Sequence, residues 1–203
     1  MTEPTPDLRK QRRMLIVLAL IFAAPFALSW LLFNYTSFGR GGATTNHGQL
    51  INPPRQLADM ALHDLAHPDV PASLYGKWNL VYLVDGTCDT RCAQNLYRMR
   101  QVRLAQGKHA HRVQRVLLNL GTGSVTLDGR QLQEFAGQLI TSPADRAALL
   151  QRFRLTAGDD PLAAGRLYIV DPRGFLMMSY EAGVDPVGII DDLHHLLRFS
   201  GVG

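Results

Sequence analysis

One segment near the N-terminus constrains the whole chain. Residues Met14 to Phe33 read MLIVLALIFAAPFALSWLLF, twenty residues without a charge. At about 1.5 Å per residue, a helix of this length spans roughly 30 Å, the hydrocarbon thickness of a bilayer. Four cationic residues precede the run and none follows until Arg40. The positive-inside rule therefore predicts a cytoplasmic N-terminus (1–13), a single transmembrane anchor (14–33) and an exported remainder.

A cleaved secretory signal is the alternative to an anchor. Such a signal has an apolar region of about 7–15 residues, followed by a cleavage site of small residues. Here the run is longer and closes on bulky side chains, from Trp30 to Phe33, so an uncleaved anchor is favoured. The N-terminus also lacks the Arg- and Ser-rich character of a transit peptide. We therefore expect a bacterial inner-membrane protein whose C-terminal domain lies in the periplasm.

The net charge of +4 does not indicate a nucleic-acid partner. Residues 1–40 contribute +3 of it, and the other 163 residues carry 16 basic and 15 acidic side chains. Phosphate binding requires a clear excess of basic residues. The sequence therefore predicts no nucleic-acid partner.

The exported part divides into a linker and one domain. Residues 34–55 are rich in Gly, Asn, Thr and Pro and show no helical or strand periodicity, whereas the pattern is globular over 56–203. In this domain strands are expected at 60–65, 77–84, 113–120, 166–170 and 175–180. Helices are expected at 88–105, 130–138, 142–154 with Ser142 as N-cap, and 185–199 with Asp185 as N-cap. This order predicts a mixed α/β architecture in layers.

Only two cysteines occur in the chain, in the motif Cys88-Asp89-Thr90-Arg91-Cys92. The motif follows a predicted buried strand and opens a predicted helix. The N-terminus of a helix stabilises a thiolate through its free N–H groups and partial positive charge. Arg91 is expected to add to this effect and Asp89 to oppose it. If both cysteines are helical, they lie about 6 Å apart along the axis, within the range that a disulfide accepts.

Three roles are open to this pair. Cys88 and Cys92 are candidate catalytic residues of thiol–disulfide exchange, with the more exposed Cys88 expected to attack and Cys92 to resolve. Two thiolates at this spacing can also hold a soft metal ion, for which copper(I) is the usual thiolate partner. A structural disulfide is the alternative that an exported domain would favour. A bridge across three residues gains little entropy, however, so a functional pair is favoured.

The segment around the cysteines resembles the Sco/SenC family. The resemblance is carried by Leu74-Tyr75-Gly76-Lys77-Trp78-Asn79-Leu80-Val81-Tyr82-Leu83-Val84, the two cysteines, and Leu167-Tyr168-Ile169-Val170-Asp171-Pro172-Arg173-Gly174. It covers about residues 50–200. Proteins of that family are membrane-anchored, thioredoxin-like copper chaperones and thiol reductants that act in cytochrome c oxidase assembly. The resemblance therefore implies a thioredoxin-like mixed sheet flanked by helices, and oxidase subunits or other assembly factors as partners.

Two features depart from that family. The prolines beside its cysteines are absent, since Asp89 follows the first cysteine and Ala93 the second. The family's third copper ligand is a histidine, and our alignment places Ala163 at that position. No histidine occurs between His111 and His194. The resemblance therefore implies a thiol role ahead of copper carriage, with copper(I) as the one cofactor to test.

The remaining candidate ligands are scattered. Adjacent histidines on one helix point to different faces, which argues against a shared metal at His194 and His195. The other candidates are His47, His63, His67, His109, His111, Met177 and Met178, and strand methionines are usually part of a core. Three functions follow from the sequence: an accessory or assembly factor of a haem-copper oxidase, a periplasmic thiol–disulfide reductant of other clients, and a non-catalytic interaction subunit of a membrane complex.

Overall fold

In the computed structural model, residues 8–35, 46–57, 59–65, 69, 72–121, 125, 127 and 139–201 are described. The chain divides into two compact units, 1–45 and 46–203. The first contains helix α1 (Leu8–Tyr35), which has Pro25 inside it. By length and composition, α1 is long and apolar enough to cross a membrane. This agrees with the span expected at 14–33, which lies within the helix.

The second unit is built on one mixed sheet. Within its described residues there are seven strands: β1 (Gln49–Gln56), β2 (Leu62–Asp64), β3 (Trp78–Val84), β4 (Val113–Asn119), β5 (Leu139–Pro143), β6 (Leu167–Val170) and β7 (Phe175–Tyr180). The order across the sheet is β1-β7-β6-β3-β4-β5-β2. Strand β3 is central and pairs parallel with β4 and antiparallel with β6.

Helices cover both faces of this sheet. They are α2 (Thr90–Ala105), α3 (Arg146–Phe153), the short α4 (Pro161–Ala164) and α5 (Pro186–Phe199), and a 3-10 helix spans Gly107–Arg112. Alternate side chains of β3 enter two cores: Leu80 and Tyr82 pack in the core that α2 and α5 share, and Val81 and Leu83 pack with α3. Because every residue of β3 is buried, its continuous apolar run is that of a central strand covered on both sides.

Most elements agree with the sequence prediction. The expected mixed sheet flanked by helices is confirmed, including the buried strand β3, the helix after the cysteines, the β6–β7 hairpin and the last helix. That helix is capped by Asp185, whose carboxylate accepts a hydrogen bond from the Val187 amide. The helix expected at 130–138 lies outside the described residues.

Three predictions need correction. Residues 49–55, expected to belong to a linker, lie in edge strand β1, which pairs with β7. No strand pattern is visible in the sequence here because the segment contains Pro53 and Pro54. These prolines lie where the pairing register shifts, and proline is tolerated in edge strands and at such irregularities. Ser142 is not an N-cap, since it lies in strand β5. The helix begins later, where the Asp145 carboxylate accepts from the Ala148 amide at 2.9 Å.

The first residues of the domain are attached to the last helix through one buried carboxylate. Asp192 accepts hydrogen bonds from the amides of His47 and Gly48 at 2.9 and 2.8 Å, and from the Tyr180 hydroxyl at 2.9 Å. A buried carboxylate needs such partners. Asp192 therefore fixes where the chain enters the domain.

Candidate thiol–disulfide site

The site lies where β3 ends and α2 begins. Strand β3 leads into a turn at Gly86, whose φ of 77° belongs to the left-handed region. The buried Asn119 side chain accepts hydrogen bonds at 2.9 Å from the amides of Gly86 and Gly121, and so joins the ends of two parallel strands. The two loops touch here, because a Cβ on Gly121 would lie 2.5 Å from the Gly86 nitrogen. This contact fixes the backbone that presents the cysteines.

Cys88 and Cys92 form a disulfide, with their Cα atoms 5.1 Å apart. Cys92 lies in the first turn of α2, but Cys88 lies two residues before the helix, so the pair is not wholly helical as the spacing suggested. Cys88 is 9% exposed and Cys92 1%. Cys88 is therefore the more exposed residue of the pair, whereas Cys92 is the one that lines the adjoining cleft.

Asp89 has a structural role that the sequence analysis missed. It is the N-cap of α2, and its carboxylate accepts a 2.8 Å hydrogen bond from the Cys92 amide. Aspartate is among the preferred N-cap residues, so this role was visible in its position before the helix. The expected effect of its charge on a nearby thiolate is unchanged, but the residue also holds the motif in place.

Arg91 connects the motif to the segment where the resemblance expects a metal-ligating histidine. Its guanidinium donates to the Ala163 carbonyl oxygen at 3.1 Å and packs against Gly165, where a Cβ would lie 3.2 Å from the arginine Cδ. Gly165 caps α4 in the left-handed conformation, with φ of 61°. Arg91 therefore holds α4 beside the cysteines and keeps a positive charge there.

An open cleft of about 180 Å³ adjoins the disulfide. It is lined by Tyr82, Leu83, Val84, Asp85, Thr87, Asp89, Arg91, Cys92 and Leu162. Leu162, rather than Ala163, is thus the α4 residue that faces the cysteine cleft, and Ala163 is exposed.

Tyr82 is the polar side chain that the strand places under the cleft. Burial raises the pKa of its hydroxyl, against the effects of a hydrogen bond with Asn95 and the charge of Arg91. The phenol therefore stays protonated and serves as a neutral hydrogen-bonding group. Tyr82 was not predicted as a site residue, although its place two residues before the end of a buried strand was a usable signal.

The structure does not bring the other candidate ligands to the cysteines. Among the described residues, no three His, Cys, Asp or Glu side chains form a metal-binding group. His194 and His195 are exposed on α5, His111 is exposed on the 3-10 helix, and His63 is exposed on β2. Met178 is buried, and its sulfur lies 2.9 Å from the Tyr180 hydroxyl oxygen. His67 lies outside the described residues.

Comparison with known proteins agrees with this architecture. The sequence profile of a family described as "transmembrane-like, thioredoxin-like, C-terminal domain" matches residues 78–200, more than half of the chain. No protein of curated function matches the sequence significantly.

Several solved structures share the fold. Copper-bound ScoI from Arabidopsis thaliana is 14% identical with a TM-score of 0.54, over 74% of this chain and 99% of that one. Apo Sco1 from Thermus thermophilus is 18% identical with a TM-score of 0.51, over 78% and 98%. BsSco, described as a member of the Sco family of cytochrome c oxidase assembly proteins with a disulfide switch, is 12% identical with a TM-score of 0.51, over 73% and 96%. The resemblance to Sco/SenC proteins is therefore confirmed for the fold.

Proposed function

Since the chain belongs to the family described as a transmembrane-like, thioredoxin-like, C-terminal domain, we propose that it is a membrane-anchored, Sco-like accessory factor in the assembly of a haem-copper oxidase. It acts through the thiol pair Cys88 and Cys92. The observation that carries this proposal is the disulfide between them, which lies at a helix start beside an open cleft.

The proposed chemistry is one cycle of thiol–disulfide exchange. In the reduced protein the Cys88 thiolate attacks a sulfur of a client disulfide, that S–S bond breaks, and the client's other sulfur leaves as a thiolate. The Cys92 thiolate then attacks the Cys88 sulfur and releases the second client thiolate. The two electrons pass to the client, and the protein is left with its Cys88–Cys92 bond. The client's cysteines are then free to receive metal.

The residues fit copper carriage less well than thiol exchange. Within the part of the chain that the structure describes, no group of three His, Cys, Asp or Glu side chains is arranged to hold a metal ion. Two thiolates of the reduced pair can hold copper(I), whereas copper(II) is better served by an added nitrogen ligand. We therefore assign copper(I) as an occasional ligand of the reduced pair, and not as the cargo that defines the protein.

The proposed location is the bacterial inner membrane, with the thioredoxin-like domain in the periplasm. The cationic residues before the α1 apolar run support this orientation. A reporter that is active only outside the cytoplasm, fused after Gly203, should be active in cells. An inactive reporter, together with an active cytoplasmic reporter at the same position, would contradict the orientation.

Purification from native membranes tests the function. The full chain should bring down oxidase subunits, and the Cys88→Ser/Cys92→Ser variant should bring down the same subunits in lower yield if exchange contributes to capture. Equal capture by both, with normal oxidase activity in the variant strain, would instead assign a non-catalytic interaction subunit. Capture of unrelated thiol proteins without oxidase subunits would favour a general periplasmic reductant.

A further inference from the structure

The domain has almost no net charge, but its basic and acidic residues are concentrated in different parts of the chain. Residues 90–127 contain seven basic and no acidic residues, whereas the rest of the segment 46–203 contains nine basic and fifteen acidic residues. One of the seven, Arg115, is buried. We call the other six the basic face: Arg91, Arg98, Arg100, Arg103, Lys108 and Arg112. They lie on α2 and the following 3-10 helix.

Two of these basic residues border an exposed ridge of α2. Tyr97 and Leu104 are seven residues apart, hence on one side of the helix, and each is 52% exposed. By the same periodicity, Arg98 lies along one flank of this ridge and Arg100 along the other. Exposed aromatic and aliphatic side chains bordered by arginines are typical of protein–protein contact surfaces.

The positive charges of this face repel one another. Burial and then the neighbouring charges of Lys108, Arg112, His111 and His194 lower the pKa of His109. Burial and then Arg103 and Arg100 do the same to Arg115. Within the described residues, no carboxylate pairs with Arg100 or Lys108. Like charges gathered on one part of a surface are electrostatically costly and attract an acidic partner.

The helix that carries this ridge starts at the disulfide, because Cys92 lies in the first turn of α2. We propose that the outer face of α2 docks an acidic segment of a client protein and guides that client's sulfurs to Cys88. This inference rests on the proposed thiol function and names the chemistry of its partner. A lipid surface is disfavoured because the apolar side of α2, with Leu96, Met99 and Val102, is already buried in the domain, whereas a helix lying on a membrane inserts such a side.

A matched pair of peptides tests the proposal with the full chain in detergent. One peptide of about 12 residues, extended to about 40 Å, carries a single cysteine among glutamates, and the other has glutamine at every glutamate. The peptide thiolate attacks the Cys88 sulfur, the Cys88–Cys92 bond breaks, and Cys92 leaves as a thiolate. At low ionic strength the acidic peptide should form the mixed disulfide about tenfold faster than the neutral one. In about 1 M salt, where the Debye length is about 3 Å, the difference should vanish.

Two charge-reversed variants localise the effect. Arg100→Glu/Lys108→Glu should remove the advantage of the acidic peptide. Arg154→Glu/Arg173→Glu has the same change in net charge at exposed positions after α3 and in the β6–β7 turn, outside α2 and the 3-10 helix, and should keep that advantage. Loss of the advantage in both variants, or in neither, would overturn the proposal.

Binding of the acidic peptide with serine in place of cysteine separates docking from chemistry. Binding that depends on Arg100 and Lys108 without any exchange would uphold the docking surface and reject the thiol function. Absence of binding would reject the docking surface even if exchange occurs. Nanodiscs containing phosphatidylglycerol should leave peptide binding unchanged, and loss of binding there would assign the face to lipid and overturn the proposal.

Discussion

The Asp89 carboxylate accepts a 2.8 Å hydrogen bond from the amide of Cys92. The residue that separates the first cysteine from the helix is thus also the cap of that helix. Asp89 therefore combines two effects of opposite sign. It stabilises the backbone that holds the cysteines together, and its negative charge disfavours a thiolate beside it.

Two substitutions separate these effects. Asp89→Asn keeps a side-chain oxygen for the Cys92 amide and removes the charge, so stability should stay near that of the natural protein while alkylation of the reduced pair at neutral pH becomes faster. Asp89→Ala removes the cap as well and should cost about 1 kcal/mol of unfolding free energy. Denaturant unfolding and iodoacetamide alkylation measure the two quantities. Equal stability of the alanine and asparagine variants would show that the cap contributes little.

The main layers of the fold were predictable because their signals are local. The buried run of β3, the Asp-Pro-Arg-Gly turn before Phe175 and the Asp185 cap each follow from neighbouring residues. The missed strands depend on distant partners: β1 contains two prolines and becomes a strand only by pairing with β7, and β5 is completed by β2 and β4.

The same division between local and distant signals applies to the site. The cysteine pair and its place at a helix start follow from the motif. Leu162 and Tyr82 lie beside the pair only because α4 and β3 meet around it, and Arg91 holds α4 there through the Ala163 carbonyl. Contacts of this kind join residues about 70 positions apart in sequence, so no local pattern signals them.

A histidine introduced at position 162 should strengthen copper binding more than a histidine introduced at position 163. The reduced natural protein is expected to bind copper(I) weakly and copper(II) hardly at all, since it offers two thiolates without a nitrogen ligand. Leu162→His places imidazole in the cysteine cleft and should strengthen binding of both ions, whereas Ala163→His, at an exposed position, should have a smaller effect. Competition with a chromophoric copper(I) chelator and copper(II)–thiolate absorption report the two affinities.

Tight stoichiometric binding of both ions by the natural sequence would contradict this account, and His109, His111 and Asp89 would be the first residues to test as replacement ligands.

Alkaline pH should destabilise the domain through its buried tyrosines. Burial raises the pKa of Tyr168 to about 12, and burial followed by the charge of Asp192 raises that of Tyr180 further. A raised pKa means that the unfolded chain loses its phenolic proton first, so the stabilisation is complete below about pH 10 and is lost as pH rises toward the folded value.

The unfolding free energy should therefore decline above about pH 10, and Tyr168→Phe should make the decline shallower between pH 10 and about 12. Trp78 fluorescence can follow urea unfolding of the full chain in detergent, in a Trp30→Phe background that removes the only other tryptophan. A decline of the same slope with and without the Tyr168 hydroxyl would contradict this assignment.

The most direct test of the proposed function is a Cys92→Ser variant expressed in native membranes. Without its resolving partner, Cys88 should retain its client as a mixed disulfide. The account predicts an adduct on non-reducing gels that contains an oxidase subunit. Reductant should cleave this adduct, and the Cys88→Ser/Cys92→Ser variant should not form it. Absence of any adduct, together with normal oxidase activity in the strain with the double variant, would show that the cysteine pair is structural and that the proposed thiol function is wrong.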